Sequence, residues 1–247
     1  KTGVMEELDT VLLDTPRSGG GILGLPIKCV KMAMVVRKAL RTLREFDPHA
    51  VVGTGGYASV APAIAAKMLK VPLIVLEQNA IPGRANRMLS RLADEVHTQF
   101  EESVARFPKG ACIKVTGNPV RKSVLAAAFR RRRRNMTDPF TLLVMGGSQG
   151  AHSINMAVVD ALPRLAAAFG DMRILHCAGT GDEQYVRSRL FSSGLAGKVW
   201  SFNDRMSDLY AETDLAVCRA GATSIAESTA CGVPSILIPY PHARDDH

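Results

Sequence analysis

The sequence TLLVMGGSQGAHSINMAV, residues 141–158, decides the fold of this chain. Its first five residues form an apolar, β-prone run, a glycine-rich turn follows, and helical periodicity begins after the turn. This order predicts a strand, a tight turn and a helix N-terminus. Such a turn directs backbone N–H groups and the positive end of the helix dipole at one point, where an anion can bind. We interpret it as a diphosphate site, although a tight turn without a ligand fits this stretch alone equally well. The residues concerned are Gly146, Gly147, Ser148, Gln149 and Gly150.

A second stretch, DLAVCRAGATSIAE at residues 214–227, repeats the order of strand, small-residue loop and helix. The helix start near Gly221 offers another anion site. Glu227 follows about one turn later, where a carboxylate is unfavourable beside phosphate but well suited to ribose hydroxyls. Together these features predict a nucleotide site. The alternative is that Glu227 merely supplies a favourable charge to the first turn of the helix.

Residues 50–77 predict a complete βαβ unit, with strand AVV, a helix over residues 60–69 and strand PLIVLE. The loop GTGGYA at residues 53–58 matches the G-x-G-x-x-G/A pattern of dinucleotide-binding proteins. Glu77 stands near the position of the acid that binds ribose in those proteins. An NAD-binding enzyme is therefore a second hypothesis for this part of the chain.

Two polar loops follow predicted strands, at the edge where open α/β sheets bind ligands. In the first loop, Asn79 can both donate and accept hydrogen bonds, which suits a sugar or amide group. Capping of the next helix is the alternative for one residue among Glu77, Gln78 and Asn79. In the second loop, Arg121 presents a planar fork suited to a phosphate or carbonyl. An ordinary surface arginine is the alternative there.

Residues 27–44 predict an amphipathic helix. We expect its core side to carry Cys29, Met32, Ala33, Val36, Leu40 and Leu43. The opposite face interleaves basic and apolar residues, a composition that suits an anionic lipid surface. An ordinary solvated face is the alternative. The residues of this predicted membrane face are Lys31, Met34, Lys38 and Arg41.

Composition narrows the possible functions of the 247-residue chain. A formal charge of +8 favours acidic partners, while an aromatic content of 5% argues against single-stranded nucleic-acid binding. The five cysteines show no metal-binding spacing, and Cys177 and Cys218 look like buried thiols. No apolar run is long enough to span a membrane, and no signal peptide is visible. The residue pattern exposes no catalytic triad, metal cluster or P-loop.

Five segments in order resemble the MurG family of UDP-N-acetylglucosamine transferases. They are VVGTGGYAS (51–59), LEQNAIPGRANRML (76–89), VTGNPVR (115–121), LLVMGGSQGAHSIN (142–155) and CRAGATSIAESTACGVPSILIPYPH (218–242). The resemblance implies an α/β fold of GT-B architecture, in which two Rossmann-like domains with parallel sheets face a cleft. We place the acceptor and membrane-associated domain at residues 1–136 and the UDP-GlcNAc-binding domain at residues 137–247, because an arginine run and a polar stretch precede residue 137.

The resemblance also implies an activity, the metal-independent, inverting transfer of GlcNAc from UDP-GlcNAc to undecaprenyl-linked lipid I at the cytoplasmic face of the bacterial inner membrane. It implies no cofactor and no nucleic-acid partner. Donor-binding positions by resemblance are Asn79, Arg121, Ser148, Asn203, Ala222, Thr223, Ser224, Ile225, Ala226 and Glu227. Acceptor-binding positions are Gly55, Gly56, Tyr57, Glu77 and Gln78.

Several departures from the family pattern lead us to expect a fragment that lacks both ends. The family's TGGH loop, whose histidine is the usual candidate for the catalytic base, would lie upstream of Lys1. A glutamine pair that contacts the donor sugar would lie beyond His247. Within the chain, Ala220 replaces a customary serine, and Asn203 stands where an apolar residue commonly contacts uracil.

Overall fold

A computed structural model describes residues 25–130, 138–146 and 151–240, with side chains from Val30 onward. The chain divides into two compact units between Asn118 and Pro119. Helix α4, Lys122–Arg130, therefore belongs to the second unit, although it precedes the boundary that composition places after residue 136. The arginines that follow Arg130 and the turn residues 147–150 lie outside the described residues.

The first unit is a parallel sheet in the order β1-β2-β3-β4 with helices packed on it. Its strands are β1 Val51–Gly53, β2 Leu73–Glu77, β3 Glu95–Thr98 and β4 Ile113–Val115. Its α-helices are α1 Leu25–Phe46, α2 Val60–Leu69 and α3 Arg84–Leu89. Short 3₁₀ helices lie at Tyr57–Ser59 and Glu101–Arg106. The predicted βαβ unit is confirmed.

Helix α1 is longer than the predicted helix at both ends and packs against α2. Four residues of the predicted core side are half-buried: Met32, Val36, Leu40 and Leu43. The prediction is wrong for Ala33, which is exposed, whereas Ala39 is buried. Among the described residues, α2 covers only a narrow stripe of α1, and Ala33 lies beside this stripe. The side chain of Cys29 lies outside the described residues.

The second unit is a five-stranded parallel sheet in the order β7-β6-β5-β8-β9. Its strands are β5 Thr141–Met145, β6 Arg173–Cys177, β7 Ala196–Trp200, β8 Leu215–Arg219 and β9 Ser235–Ile238. The helices that follow α4 are α5 His152–Ala168, α6 Glu183–Ser192, α7 Met206–Glu212 and α8 Ala222–Ala230. All five residues of β5 are buried, as expected of a central parallel strand covered on both faces.

The strand order reverses at β5, which pairs with β6 on one side and with β8 on the other. In open parallel sheets such a reversal leaves a crevice at the carboxyl ends of the two diverging strands, and ligands bind there. This edge carries Met145, Cys177 and the loop after β8. The predicted α/β fold class, two units with parallel sheets, is confirmed. Among the described helices, none is long and apolar enough to cross a bilayer.

Candidate functional site

A cavity of about 440 Å³ opens at the carboxyl ends of β5 and β6 in the second unit. Its volume lies in the usual range for small-molecule sites. It brings together five of the predicted donor-binding residues, which come from three separate segments of the chain. These are Arg121, Asn203, Thr223, Ser224 and Glu227; the remaining lining residues are Pro119, Met145, Cys177, Ser201, Phe202, Met206 and Tyr210.

The carboxylate of Glu227 is the buried charge of this cavity. Glu227 lies in the second turn of α8 and is 5% exposed. Arg121 Nε donates a hydrogen bond to Glu227 Oε1 at 3.0 Å, across 106 residues of sequence. The Arg121 side chain is 52% exposed, so its guanidinium reaches Glu227 from the solvent side. A buried carboxylate with a half-exposed cation beside it can accept hydrogen bonds from a bound hydroxyl.

The floor of the cavity is uncharged. Tyr210 is buried, and its hydroxyl donates to Met145 Sδ at 3.7 Å. Burial, reinforced by the negative charge of Glu227, raises the pKa of Tyr210, so the phenol stays protonated. Burial also raises the pKa of the Cys177 thiol to about 11. The floor therefore presents sulfur atoms and an aromatic ring, a surface that suits the flat face of a nucleobase. The prediction that Cys177 and Cys218 are buried thiols is confirmed.

Helix α8 brings its N-terminus to this cavity. Its N-cap is Gly221, which has no side chain to accept hydrogen bonds from the first turn. Thr223 and Ser224 of the first turn line the cavity and add hydroxyl donors beside the positive end of the helix dipole. Three other predicted donor residues lie on the same helix, but they are not among the described residues that line the cavity: Ala222, Ile225 and Ala226.

Asn203 lies in the loop between β7 and α7, on the rim of the cavity. Its Oδ1 accepts a hydrogen bond from the backbone N–H of Arg205 at 2.8 Å. The side chain thus shapes its own loop and leaves its amide group at the rim. An asparagine at this position, where the family commonly has an apolar residue, is therefore compatible with a folded loop beside the apolar floor.

The predicted diphosphate turn is described only at Gly146, which is half-buried at the end of β5. Ser148 lies outside the described residues, as do Gly147, Gln149 and Gly150. A cation that the sequence analysis missed, Arg219, ends β8 beside the first turn of α5. Its two terminal nitrogens donate to Ser153 Oγ at 2.8 Å and to Pro239 O at 2.9 Å. Arg219 could have been identified from the sequence by its position at the end of a predicted strand, directly before a small-residue loop.

A buried polar network anchors the start of α5 to the loop after β6. Asn155 is fully buried, and its Nδ2 donates to Ala178 O at 2.7 Å and to Asp182 Oδ2 at 2.8 Å. Its Oδ1 lies 2.8 Å from His176 Nε2, which therefore carries the proton and donates. These bonds hold the helix that follows the predicted diphosphate turn in a defined position. Burial lowers the pKa of His176 to about 4, so its ring is neutral at pH 7.

Lowering the pH from 7 to 4 is expected to reduce the free energy of unfolding of the second unit by about 3 kcal/mol through His176. The unfolded chain takes up a proton on this residue near pH 6.5, whereas the folded chain resists it until about pH 4. Stability therefore falls as the pH drops through this window and is unaffected by His176 above it. Urea denaturation monitored by Trp200, the single tryptophan, measures the effect.

His176→Gln retains a donor toward Asn155 and is expected to remove most of this pH dependence. The exposed His152, which pairs with Asp182 through Nδ1 at 3.0 Å, provides the matched control variant His152→Gln. An unchanged pH dependence in His176→Gln would contradict the assignment.

In the first unit, the predicted acceptor loop follows β1. Gly55 and Gly56 adopt φ angles of 97° and 74°, which side-chain-bearing residues rarely adopt. Tyr57 is 41% exposed at the end of this loop. Gln78 lies across from it, and its Nε2 donates to Thr54 O at 3.4 Å. The glycines thus permit an irregular loop with an accessible tyrosine, as expected of a site that a ligand approaches closely.

Glu77 holds the next loop together. Its Oε1 accepts from the backbone N–H of Asn79, and its Oε2 accepts from Gly83 N and Asn86 Nδ2, each at 2.9 Å. Glu77 is 3% exposed. Because both oxygens are already engaged, this geometry argues against the dinucleotide interpretation, which needs Glu77 for a ribose. The helix-capping alternative is met only indirectly: Glu77 accepts from the backbone N–H of Gly83, the N-cap residue of α3, and from Asn86 within that helix. Asn79 is half-buried in this loop, within the first unit.

Among the described residues, no group of three or more His, Cys, Asp or Glu side chains is arranged to hold a metal ion.

Comparisons with known proteins match both units. The model of the glycosyltransferase family 28 N-terminal domain matches residues 6–98, and that of the family 28 C-terminal domain matches residues 141–247. A Geobacter sulfurreducens protein is 44% identical over 230 residues, which cover 93% of this chain and 63% of the relative. It is named UDP-N-acetylglucosamine--N-acetylmuramyl-(pentapeptide) pyrophosphoryl-undecaprenol N-acetylglucosamine transferase.

Solved structures agree with this similarity. The crystal structure of Acinetobacter baumannii MurG aligns with a TM-score of 0.70 at 29% identity, covering 89% of this chain and 60% of that one. The UDP-GlcNAc 2-epimerase of Neisseria meningitidis, bound to UDP-GlcNAc, aligns with a TM-score of 0.57 at 12% identity, which shows a shared fold only. The chain spans less than two thirds of the length of the Geobacter and Acinetobacter proteins.

Proposed function

Because this chain belongs to glycosyltransferase family 28, we propose that it forms part of an enzyme that transfers GlcNAc from UDP-GlcNAc to lipid I, producing lipid II for peptidoglycan. One observation carries the proposal. A buried carboxylate, Glu227, meets a cation and a helix N-terminus in one cavity at the switch point of a parallel sheet. A nucleoside diphosphate has the complementary groups: a base, two ribose hydroxyls and a diphosphate.

Each part of the donor has a suitable counterpart in the cavity. We assign the ribose hydroxyls to Glu227, since a buried carboxylate is a strong acceptor. The nucleobase is assigned to the uncharged floor of the cavity, which Met145 and Tyr210 line. The diphosphate is assigned to the α8 N-terminus, to Arg121 and to the predicted turn with Ser148. Asn79, from the first unit, is proposed to contact the donor as well.

The proposed chemistry is an inverting displacement at the anomeric carbon of GlcNAc. A base removes the proton of the acceptor hydroxyl, the oxygen attacks the anomeric carbon, and the bond to UDP breaks. Donors placed around the departing diphosphate stabilise its growing negative charge. The proposed mechanism requires neither a metal nor a cofactor, because these donors and cations take over the neutralisation of the leaving group.

The acceptor diphosphate is assigned to the first unit. Its loop, with Gly55, Gly56 and the accessible Tyr57, resembles the glycine-rich anion sites that approach phosphate through backbone groups. Gln78 supports this loop through its bond to Thr54 O. We assign Glu77 an indirect part, since it positions the adjoining loop rather than exposing free oxygens.

The donor site is tested by calorimetric titration of this chain with UDP-GlcNAc. We expect binding with a preference for UDP-GlcNAc over other UDP-sugars. Equal affinity for UDP-glucose would favour another GT-B transferase. Binding of NADH, followed by its fluorescence, would instead support the dinucleotide hypothesis.

We further propose that α1 attaches the protein to the cytoplasmic face of the bacterial inner membrane. Val30 and Met34 are 60% and 59% exposed on this helix, four residues apart and therefore on the same face. Lys31, Lys38 and Arg41 are exposed around them. Apolar residues that enter the lipid boundary and cations that attract anionic headgroups are the two elements of peripheral membrane binding. We therefore assign the basic surface to lipid rather than nucleic acid.

The triple variant Lys31→Glu, Lys38→Glu, Arg41→Glu is expected to abolish sedimentation with phosphatidylglycerol-containing liposomes. Each cation near such a surface contributes about 1 kcal/mol, and each reversal turns attraction into repulsion. A control with the same net charge carries Lys70→Glu, Lys109→Glu and Arg189→Glu, three exposed positions away from α1. If both variants lose binding equally, net charge rather than this face is responsible.

A further inference from the structure

The two charged groups assigned to the donor are bound to each other in this structure. Arg121 Nε donates to Glu227 Oε1 at 3.0 Å. The Glu227 side chain is 7% exposed and that of Arg121 is 52% exposed, so the cation covers the carboxylate from outside. Ribose hydroxyls that engage both oxygens of Glu227 must compete with Arg121 for Oε1. A diphosphate that takes up Arg121 must compete with Glu227.

The cost of breaking this pair falls unevenly on the two partners. Arg121 is half exposed and regains water when it leaves. Glu227 is buried and keeps only the neutral Tyr210 hydroxyl beside it when the cation leaves, and a buried carboxylate that loses its cation is strongly destabilised. Ribose hydroxyls can replace the guanidinium at Glu227, but a neutral hydroxyl is a weaker donor than a cation. A nucleoside alone therefore exchanges a strong bond for weaker ones and leaves Arg121 without an anion.

A nucleoside diphosphate replaces both partners at once. Its hydroxyls reach the carboxylate, and its phosphates offer the guanidinium a charged, bidentate acceptor in place of Glu227. The long side chain of Arg121 needs only to rotate outward, because half of it is already in solvent.

We propose that Arg121 is a specificity-determining residue that exchanges Glu227 for the donor diphosphate, so that the site accepts nucleoside diphosphates and disfavours free nucleosides. The exchange rests on the proposed donor site. In this exchange Arg121 has two successive partners, first Glu227 and then the donor diphosphate. The pair with Glu227 therefore opposes the binding of uridine but not the binding of UDP. In the competing account, Arg121 stays on Glu227 in every complex and only holds the carboxylate in place.

The decisive variant is Arg121→Gln, titrated with uridine by ligand-observed NMR and with UDP by calorimetry. The exchange predicts opposite changes. UDP affinity falls about tenfold or more, because a charge-assisted bond to phosphate is lost. Uridine affinity rises several-fold, because the hydroxyls no longer displace a cation. The control is Arg41→Gln, which removes an exposed arginine, 82%, from its own ion pair with Glu45 in the first unit. It is expected to change neither affinity.

Each result decides the matter. Tighter uridine binding with weaker UDP binding supports the exchange. Parallel weakening for both ligands shows that Arg121 only positions Glu227, and unchanged affinities show that Arg121 contributes to the binding of neither ligand; either result overturns the exchange while leaving the donor site intact. If the unsubstituted chain binds no UDP, the donor site itself is wrong and the exchange falls with it.

Discussion

Glu227→Ala is expected to lower the affinity of this chain for UDP-GlcNAc by about 100-fold or more. Hydrogen bonds to a charged group contribute about 1.5–3 kcal/mol each, and two ribose hydroxyls would lose their acceptor together. The loss is large because Glu227 is buried, so water does not replace the missing carboxylate well. Calorimetric titration measures the affinity directly. The affinity of Glu227→Gln, which keeps one acceptor oxygen without the charge, should lie between that of the unsubstituted chain and that of Glu227→Ala.

The control for this prediction is Glu212→Ala. Glu212 also pairs with an arginine, Arg173, at 2.8 Å, but it is 54% exposed and does not line the cavity. Its loss should leave UDP-GlcNAc affinity unchanged. Thermal unfolding of each variant separates a lost contact from a lost fold. A folded Glu227→Ala chain with full affinity would overturn the assignment of the ribose.

Gly197→Ala is expected to destabilise the second unit by about 3 kcal/mol, at the upper end of the usual cost of overpacking. A Cβ at this position would lie 2.1 Å from the carbonyl oxygen of Ile174, its partner on β6, and 3.0 Å from Leu190 Cδ2. The first contact is with the backbone, which cannot move without distorting the β6–β7 pairing. Trp200 ends the same strand, so its fluorescence during urea denaturation reports the change.

Gly181→Ala serves as the comparison, since a Cβ there meets nothing within 4 Å and its φ is ordinary. This substitution should shift the urea midpoint little. Equal midpoints for the two variants would mean that β7 adjusts freely at the edge of the sheet.

Local patterns predicted much of the fold. The stretch 141–158 predicted β5 and the helix α5 after its turn, and residues 50–77 predicted β1, α2 and β2. The sequence analysis did not identify β3 and β7. Strand β3 has only four residues, EVHT, and β7 begins AGK with three exposed positions because it lies at the sheet edge. Neither carries an apolar run long enough to be recognised alone.

The sequence by itself determined the elements and the kinds of residue at their ends, because periodicity, turn chemistry and motif strings involve near neighbours in the chain. Only the tertiary structure decided which ends meet. It placed Arg121 on Glu227 across 106 residues, joined His176 to Asn155 beneath the start of α5, and used both oxygens of Glu77 within a loop. Such contacts depend on strand order and helix packing, which no local pattern specifies.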